Sequence, residues 1–395
     1  MQRTTHPTPL GHLLFAGLII LALAGGCAGP PRDLEGSAFY GLGETPAPAE
    51  GGTELHVTTL AADGPGSLRA ALETPGPRRI VFDVGGCIAL RQPLTVYHPY
   101  VEIAGETAPS PGITLAGAGL SIRTHDVVVQ HLRVRVGDDP LGPAPDDRDG
   151  IQVSGTRGAP AYNILIRHCS VSWAVDEGIG IWGEAVSDLT IQGCLIAENL
   201  SRSIHPEGEH SKGILVGDHA QRVAVVENLL AHNVERNPFL KGDVTAVVAS
   251  NVVYNPRELS IHLGDMEGSG PTRATIAGNV LVPGPDTRVT AWGVVQQPDG
   301  NAATRAALWR NRTLWGPLTL PWPYIDLQPF TRQRTPPLWA EGLAERTPRE
   351  LLAWTLAHAG ARPWDRDAVD QRLVDEVAAR EGAIRDAVPE GACGE

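Results

Sequence analysis

Between residues 100 and 316 the chain repeats one short pattern of apolar and polar positions. NILIRHCSVSW at 163, DLTIQGCLIAEN at 188, RVAVVENLLAHN at 222, TAVVASNVVYN at 245, RATIAGNVLV at 273 and AALWRNRTLWG at 306 each alternate apolar with polar residues, pass one fixed position, and add a second apolar pair. The fixed position reads Cys169, Cys194, Asn228, Asn251, Asn279 and Asn311; DVVVQHLRVRV at 126 fits with Leu132 there, and YVEIAGE at 100 is a looser copy. Alternating β-branched residues predict strands. Repetition at intervals of 23 to 37 residues predicts a solenoid in which each unit stacks on the last. Stacked parallel strands lie about 4.8 Å apart, so the pattern predicts an all-β fold, a right-handed parallel β-helix of roughly eight turns and about 40 Å. Equivalent side chains then recur directly above one another. The asparagines are expected to form a ladder of amide hydrogen bonds, and Cys169 and Cys194 to stack inside as free thiols. A β-propeller, the competing fold, would use more uniform units of four strands each.

The flanks supply what such a stack needs, because a bare terminal strand invites pairing with another chain. Ser67-Leu-Arg-Ala-Ala-Leu72 can form a helical cap at the N-terminal end. Thr347-Pro-Arg-Glu350 reads as a capping box with proline in the first turn, opening a helix that stops at Gly360. A second amphipathic pattern runs from 366 to 380 through Val369, Leu373, Val374 and Val377. The expected organisation is a β-helix over 53–346 and a helical segment over 347–395 packed on it. Residues 1–27 read as an export leader, with Arg3, an apolar run from Leu13 to Ala24 too short to span a bilayer, and LAGGC ending at Cys27. The small residues before Cys27 resemble the bacterial lipoprotein cleavage box, although Ala24 stands where that box has leucine, so plain secretion stays open. Residues 28–52, rich in Pro, Gly and Glu, read as a tether. The expectation is a secreted or cell-envelope protein, meeting a bacterial outer membrane only through a lipid on Cys27.

Composition narrows the function. The 395 residues are 42% apolar, enough for a large core, and carry a net charge of -13. That charge excludes a generic nucleic-acid binder, which needs a dense basic face. A polyanionic partner would need local cations or a bridging metal. Five cysteines in so long a chain are no disulfide scaffold. The 32 basic residues divide into 30 arginines and only Lys212 and Lys241, and these two flank Arg236. A compact ammonium and a planar guanidinium are not interchangeable, so the pair points to a site that needs compact charge. DDRDG supplies Asp146, Asp147 and Asp149, clustered hard oxygens of the kind calcium prefers.

Six blocks taken together, GSLRAAL, IVFDVGGCIAL, IAGETAPSPGITLAG, HCSVSWAVDE, HSKGILVG and RNPFLKG, resemble the pectate lyases of the right-handed β-helix class, polysaccharide lyase family one, in a bacterial branch. The likeness runs in order from about residue 55 to 385. It implies calcium-assisted β-elimination on polygalacturonate. A base removes the C5 proton beside the uronate carboxylate, the oxygen on C4 leaves, and calcium and cations stabilise the developing charge. The family's arginine base matches Arg236 in its R-x-P-x-x-R motif; the second basic position falls on Lys241, which keeps the charge and loses the fork. A lysine that contacts the substrate carboxylate matches Lys212. A free guanidinium titrates only above about pH 12, so an arginine base needs neighbouring positive charge, and an alkaline optimum is expected. Asp147 and Asp149 match the D-x-D calcium ligands, and Asp176 one member of the acidic pair that follows. The other member falls on Gly180, for which Glu177 is the candidate substitute.

The remaining candidates are secondary. His168 reads as structural, and His205 and His210 as groove-lining side chains before Lys212. Trp173 and Trp182 fit either sugar stacking or core packing. Arg133 and Arg135 alternate on one strand face and are expected to point into the groove. The alternatives are a polygalacturonase-like hydrolase, which requires carboxylates placed as acid and base around a water, and a non-catalytic polysaccharide-binding β-helix protein, since fold alone does not give function. A monomer acting on an acidic polysaccharide is the expected form.

Overall fold

A computed structural model describes residues 51–389 apart from 218, 265–268, 297–300, 323, 327–329 and 341. The expected leader, Cys27, the tether up to residue 50 and Cys393 lie outside the described residues. The chain winds into a right-handed parallel β-helix. Each turn adds one strand to each of three sheets of 11, 10 and 9 strands. Among the described strands every pairing between turns is parallel, and Arg312–Trp315 with Leu318–Pro321 forms an antiparallel pair. The eight expected turns are all present. The eleven-stranded sheet adds Thr53–Val57 and Arg78–Phe82 before them and Thr331–Gln333 after, in stretches that carry neither Cys nor Asn at the fixed position.

The corner between the first two sheets explains the fixed position. The residue just before it is left-handed in turn after turn: His131 at φ 58°, His168 at 47°, Gly193 at 62°, Glu227 at 58°, Ser250 at 55°, Gly278 at 63° and Arg310 at 55°. This bend aims the next side chain inward. There Asn228, Asn251 and Asn279 each donate from Nδ2 to the Oδ1 of the asparagine one turn on, at 3.0 Å. Each Nδ2 also donates to a carbonyl of the preceding strand, of Ile191, Val225 and Val248. The column continues into Cys194, whose N–H donates to Asn228 at 2.8 Å. Cys169 and Cys194 are buried free thiols, one above the other. Inside the three sheets the inward side chains of each strand, such as Ile151, Ile179, Ile214 and Ile261, form one continuous apolar core.

Helix α1 (Leu68–Glu73) is capped by Ser67, which accepts from Ala70 N, and turns Leu68 and Leu72 onto the N-terminal end of the core. Helix α2 (Pro348–His358) opens with the capping box of Thr347 and Glu350, and α3 (Ala368–Ala379) is capped by Asp367. Leu351, Leu373 and Val377 pack on Leu195, Leu229, Val252 and Val280 of the ten-stranded sheet.

This packing overturns one expectation. Arg133 and Arg135 do not point into a groove. They lie under the start of α3, each 1% exposed at the side chain and paired with both Asp367 and Asp370. Ser170 Oγ donates to Asp370 at 2.7 Å. Two outward arginines on a strand face require either solvent or carboxylates, and here a helix cap more than 230 residues away provides the carboxylates.

Candidate functional site

Four successive turns deliver the candidate residues at the same corner, where the chain enters the nine-stranded sheet. Asp149 precedes the strand Ile151–Ser154, Asp176 and Glu177 begin Glu177–Trp182, Lys212 begins Lys212–Gly217, and Glu235 and Arg236 precede Phe239–Lys241. Register ties them together, with Glu177 opposite Lys212 and Lys212 bridged to Glu235. A second, shorter asparagine ladder braces this corner. Asn199 accepts from Ala174 N at 3.1 Å and donates to the Lys212 carbonyl at 2.6 Å. Asn233 accepts from Asn199 N and donates to Asn237 Oδ1, both at 3.2 Å. Its signal is visible in the sequence, where the tails of LIAEN and LLAHN repeat the asparagine.

Side-chain oxygens of Asp149, Asp176 and Glu177 lie within 4.8 Å of one another. Asp149 accepts from Glu177 N and from Gln152 Nε2, each at 3.0 Å. Burial, then the nearby Asp176 charge, pushes its carboxyl up to about 7. Glu177 is pushed well above the ordinary range by burial and by Asp149 and Asp176, against the pull of Arg236. Burial opposes ionisation of Asp176 too, but hydrogen bonds and charge from His210 hold it below the usual value. Three crowded carboxyls, two of them driven toward neutrality, are what a hard divalent cation would relieve, and an all-oxygen donor set suits calcium. Gly180 has a local reason to be glycine. A Cβ there would sit 2.8 Å from Asp149 Oδ2, so a longer acidic residue would displace the carboxylate that the cluster is built on. Asp147 is not part of this group; it is exposed at the end of a 3-10 turn, while Arg148 beside it is buried on the carbonyls of Pro143, Gly137 and Asp139.

The cations face that cluster. Arg236 is left-handed at φ 59°, and its N–H donates to His262 Nε2 at 3.4 Å. Burial pushes the His262 imidazole down to about 4, which keeps that nitrogen an acceptor. The Arg236 guanidinium pairs with Glu177 and lies 5.5 Å from the Phe239 ring centroid. Lys212 is buried and pairs with Glu235. Burial works against the Glu235 charge, but His262, Lys212 and Arg236 hold its carboxyl below the ordinary range. Lys241 stands two residues past Phe239 on the same outward face, half-buried, and forms no ion pair among the described residues. Glu235, Phe239 and His262 were not singled out in the sequence; Glu235 sits inside ERNPFLKG and Phe239 inside RNPFLKG, but nothing there marks a counter-charge or a platform.

The histidines beside Asp176 act on it. His205 and His210 stack at 3.5 Å between ring centroids. His210 Nε2 lies 3.1 Å from Asp176 Oδ1. His205 Nδ1 accepts the Glu207 N–H, which places its proton on Nε2, 3.9 Å from the same oxygen. The three could gather round a metal, but His210 is already hydrogen-bonded to Asp176 and His205 is stacked on His210. The loop carrying them is strapped down by the C-terminal segment, through Ser201 N to the Arg385 carbonyl at 2.7 Å and the Arg202–Asp386 pair. His168 stacks on His131 at the far corner. Trp173 is buried with its indole N–H on Glu198, whereas Trp182 is 43% exposed.

No protein-family profile matches the chain. It is similar to Probable pectate lyase C of Aspergillus flavus, 36% identical over 259 residues that cover 65% of this chain and 56% of the relative. It is also similar to Probable pectate lyase C of Aspergillus terreus, 34% identical over 279 residues, or 70% of this chain and 61% of the relative. The chain thus spans less than two thirds of the length of these curated relatives, which are fungal and give no support to a bacterial branch. Jun a 1, the major allergen from cedar pollen, matches at a TM-score of 0.59 with 17% identity over 79% of this chain and 89% of that chain. At that identity the likeness speaks for the parallel β-helix alone.

Proposed function

We propose that this protein is a polysaccharide lyase that cleaves polygalacturonate by calcium-assisted β-elimination, exported from the cell by the leader that ends at Cys27. The observation that carries the reading is the meeting of Arg236 and Lys212 with the Asp149, Asp176 and Glu177 carboxyls across four consecutive turns. The relatives named as probable pectate lyases support it.

Asp149, Asp176 and Glu177 would hold the calcium, which supplies charge neutralisation at the substrate carboxylate and so acidifies the neighbouring C–H. Arg236, taken as the base in its neutral guanidine form, accepts the C5 proton; the C–H electron pair forms the C4–C5 double bond, and the C4 oxygen departs with the rest of the chain and takes a proton from water. Arg236 is engaged by Glu177 and must leave it and give up its own proton to water before it can take one from C5. Phe239 beneath the guanidinium and the His262 contact fix where Arg236 turns. Lys212, released from Glu235, faces the uronate carboxylate, and Lys241 adds a second ammonium two residues beyond Phe239. A hydrolytic reading fits less well. Asp149, Asp176 and Glu177 crowd together as a metal-holding group, whereas a glycosidase sets two carboxyls on either side of the scissile bond, as acid and as base or nucleophile.

Incubation with polygalacturonate and calcium, followed by ultraviolet absorbance and mass spectrometry of the products, tests the proposal. Unsaturated uronate ends are expected, lost on chelation and in Arg236→Ala. Hydrated ends would indicate a hydrolase, and intact polymer a binding protein.

A further inference from the structure

The outward face of the nine-stranded sheet carries two neighbouring rows of side chains. Register sets Gly180 opposite Leu215, Leu215 opposite Phe239 and Phe239 opposite His262; this row lies beneath the Asp149 carboxylate and the Arg236 guanidinium. Two residues further along the strands, about 6.6 Å away, runs the second row. Ser154 pairs with Trp182, and Gly217 with Lys241. Gly217 falls one position beyond the Ile181–Val216 pair, so Trp182, Gly217 and Lys241 stand on three adjacent strands. The row crosses the strands and therefore follows the long axis of the helix. Two strand spacings separate Trp182 from Lys241, about 10 Å.

Three features mark the second row. Trp182 leaves 43% of its surface in solvent, although each outward tryptophan edge in water costs apolar exposure that packing would remove. Gly217 has no positive φ, and a Cβ on it would meet nothing closer than 3.7 Å; neither backbone nor crowding requires glycine, and the missing side chain keeps the gap between indole and ammonium free. Lys241 is free of ion pairs among the described residues, unlike Lys212 and Arg236. An apolar ring face, a low step and an uncompensated ammonium match a pyranose whose C–H face is apolar and whose substituent is a carboxylate.

We infer that Trp182 is the stacking platform of an accessory uronate subsite, completed by Gly217 and Lys241, which holds sugar units of an acidic oligosaccharide alongside the reacting unit. The inference rests on the uronate reading above. Trp182 touches substrate but no reacting atom, so it contributes binding that is equal before and during the reaction; such a contact lowers KM and leaves kcat alone.

The test compares wild type, Trp182→Ala and Trp182→Phe with polygalacturonate and with trigalacturonate. Loss of one aromatic contact is expected to raise KM for the polymer about 3- to 10-fold with kcat retained, Trp182→Phe recovering most of it. The effect should shrink on trigalacturonate, which has fewer units to lay on Trp182 while one occupies the reacting row; a merely structural tryptophan would affect both substrates alike and be rescued by neither length. Calorimetric titration of the same variants with hexagalacturonate reads the subsite without turnover. Equal affinity of wild type and Trp182→Ala overturns the inference. If wild type binds hexagalacturonate more tightly than Trp182→Ala yet forms no unsaturated ends, the subsite stands and the lyase reading falls.

Discussion

Asp370 offers the sharpest test of how the C-terminal helices are held. Its carboxylate accepts from Arg133 Nε and Arg135 Nη2 at 3.2 Å each and from Ser170 Oγ at 2.7 Å. Asp370→Ala removes two charge-assisted bonds, worth about 1.5–3 kcal/mol each, and one neutral bond worth about 1 kcal/mol. Asp367 stays within reach of both guanidiniums, at 3.3 and 2.7 Å, and retains part of the compensation. The expected loss is therefore about 3–4 kcal/mol, near the lower end for breaking a buried pair. Urea unfolding followed by tryptophan fluorescence measures it. The second arm is Arg135→Met combined with Asp370→Leu. Removing both charges spares the desolvation penalty, so the double variant should be more stable than the sum of the singles by about 1–3 kcal/mol. A loss below 1 kcal/mol for Asp370→Ala, or strict additivity in the double, would refute the claim that these carboxylates neutralise buried arginines.

Two further outcomes follow from burial and hydrogen bonding. Asp149 holds its proton up to about 7 in the fold against an ordinary 3.8, so folding takes up a proton between these values and this residue's contribution to stability declines as pH rises through that window. Four histidines pushed down to about 4, His131, His168, His232 and His262, act in the opposite sense below pH 6.5, so the diagnostic is a difference. In chelator, Asp149→Asn should gain on wild type by a few kcal/mol between pH 5 and pH 8, and calcium at pH 8 should reverse the order; thermal melts with no pH-dependent difference would reject the assigned shift. Asn251→Ala, which deprives the buried Asn228 N–H and the Val225 carbonyl of their partner, should cost about 3 kcal/mol. Hydrogen exchange should place the loss in the adjacent turns rather than across the whole stack, and uniform loss would contradict nearest-neighbour stacking.

The fold was legible because a parallel stack writes itself into sequence: whatever fits one corner fits the next, so Asn228, Asn251, Asn279 and Asn311 announce the period. The outermost turns lack that mark and went uncounted among the repeats, although they fall inside the expected 53–346 span. Thr347 likewise betrays its helix through local capping chemistry, and Val369, Leu373, Val374 and Val377 betray the next through their spacing. Long-range pairings were not legible. Nothing near Arg133 says that its partner is Asp370, and alternation alone cannot tell a groove from a buried helix seat. In the site, motif positions located Arg236, Lys212, Asp149 and Asp176. Glu177, offered by the sequence as the substitute, joins the acidic group, while register leaves Asp147 outside it and puts Glu235 against Lys212. Gly180, a gap when viewed as a motif position, becomes intelligible only beside the Asp149 carboxylate.

On the proposed polyuronate reading, the two internal pairs, Arg236 with Glu177 and Lys212 with Glu235, would govern how the polymer arrives as well as how it is held. With those charges cancelled and -13 spread over the chain, an incoming polyanion feels repulsion at range and finds its rewards only on touching the surface. Dissolved salt then works in reverse of its usual effect on oppositely charged partners, shortening the reach of a barrier instead of weakening an attraction. Capture becomes a matter of close fit, and selectivity is exercised at contact.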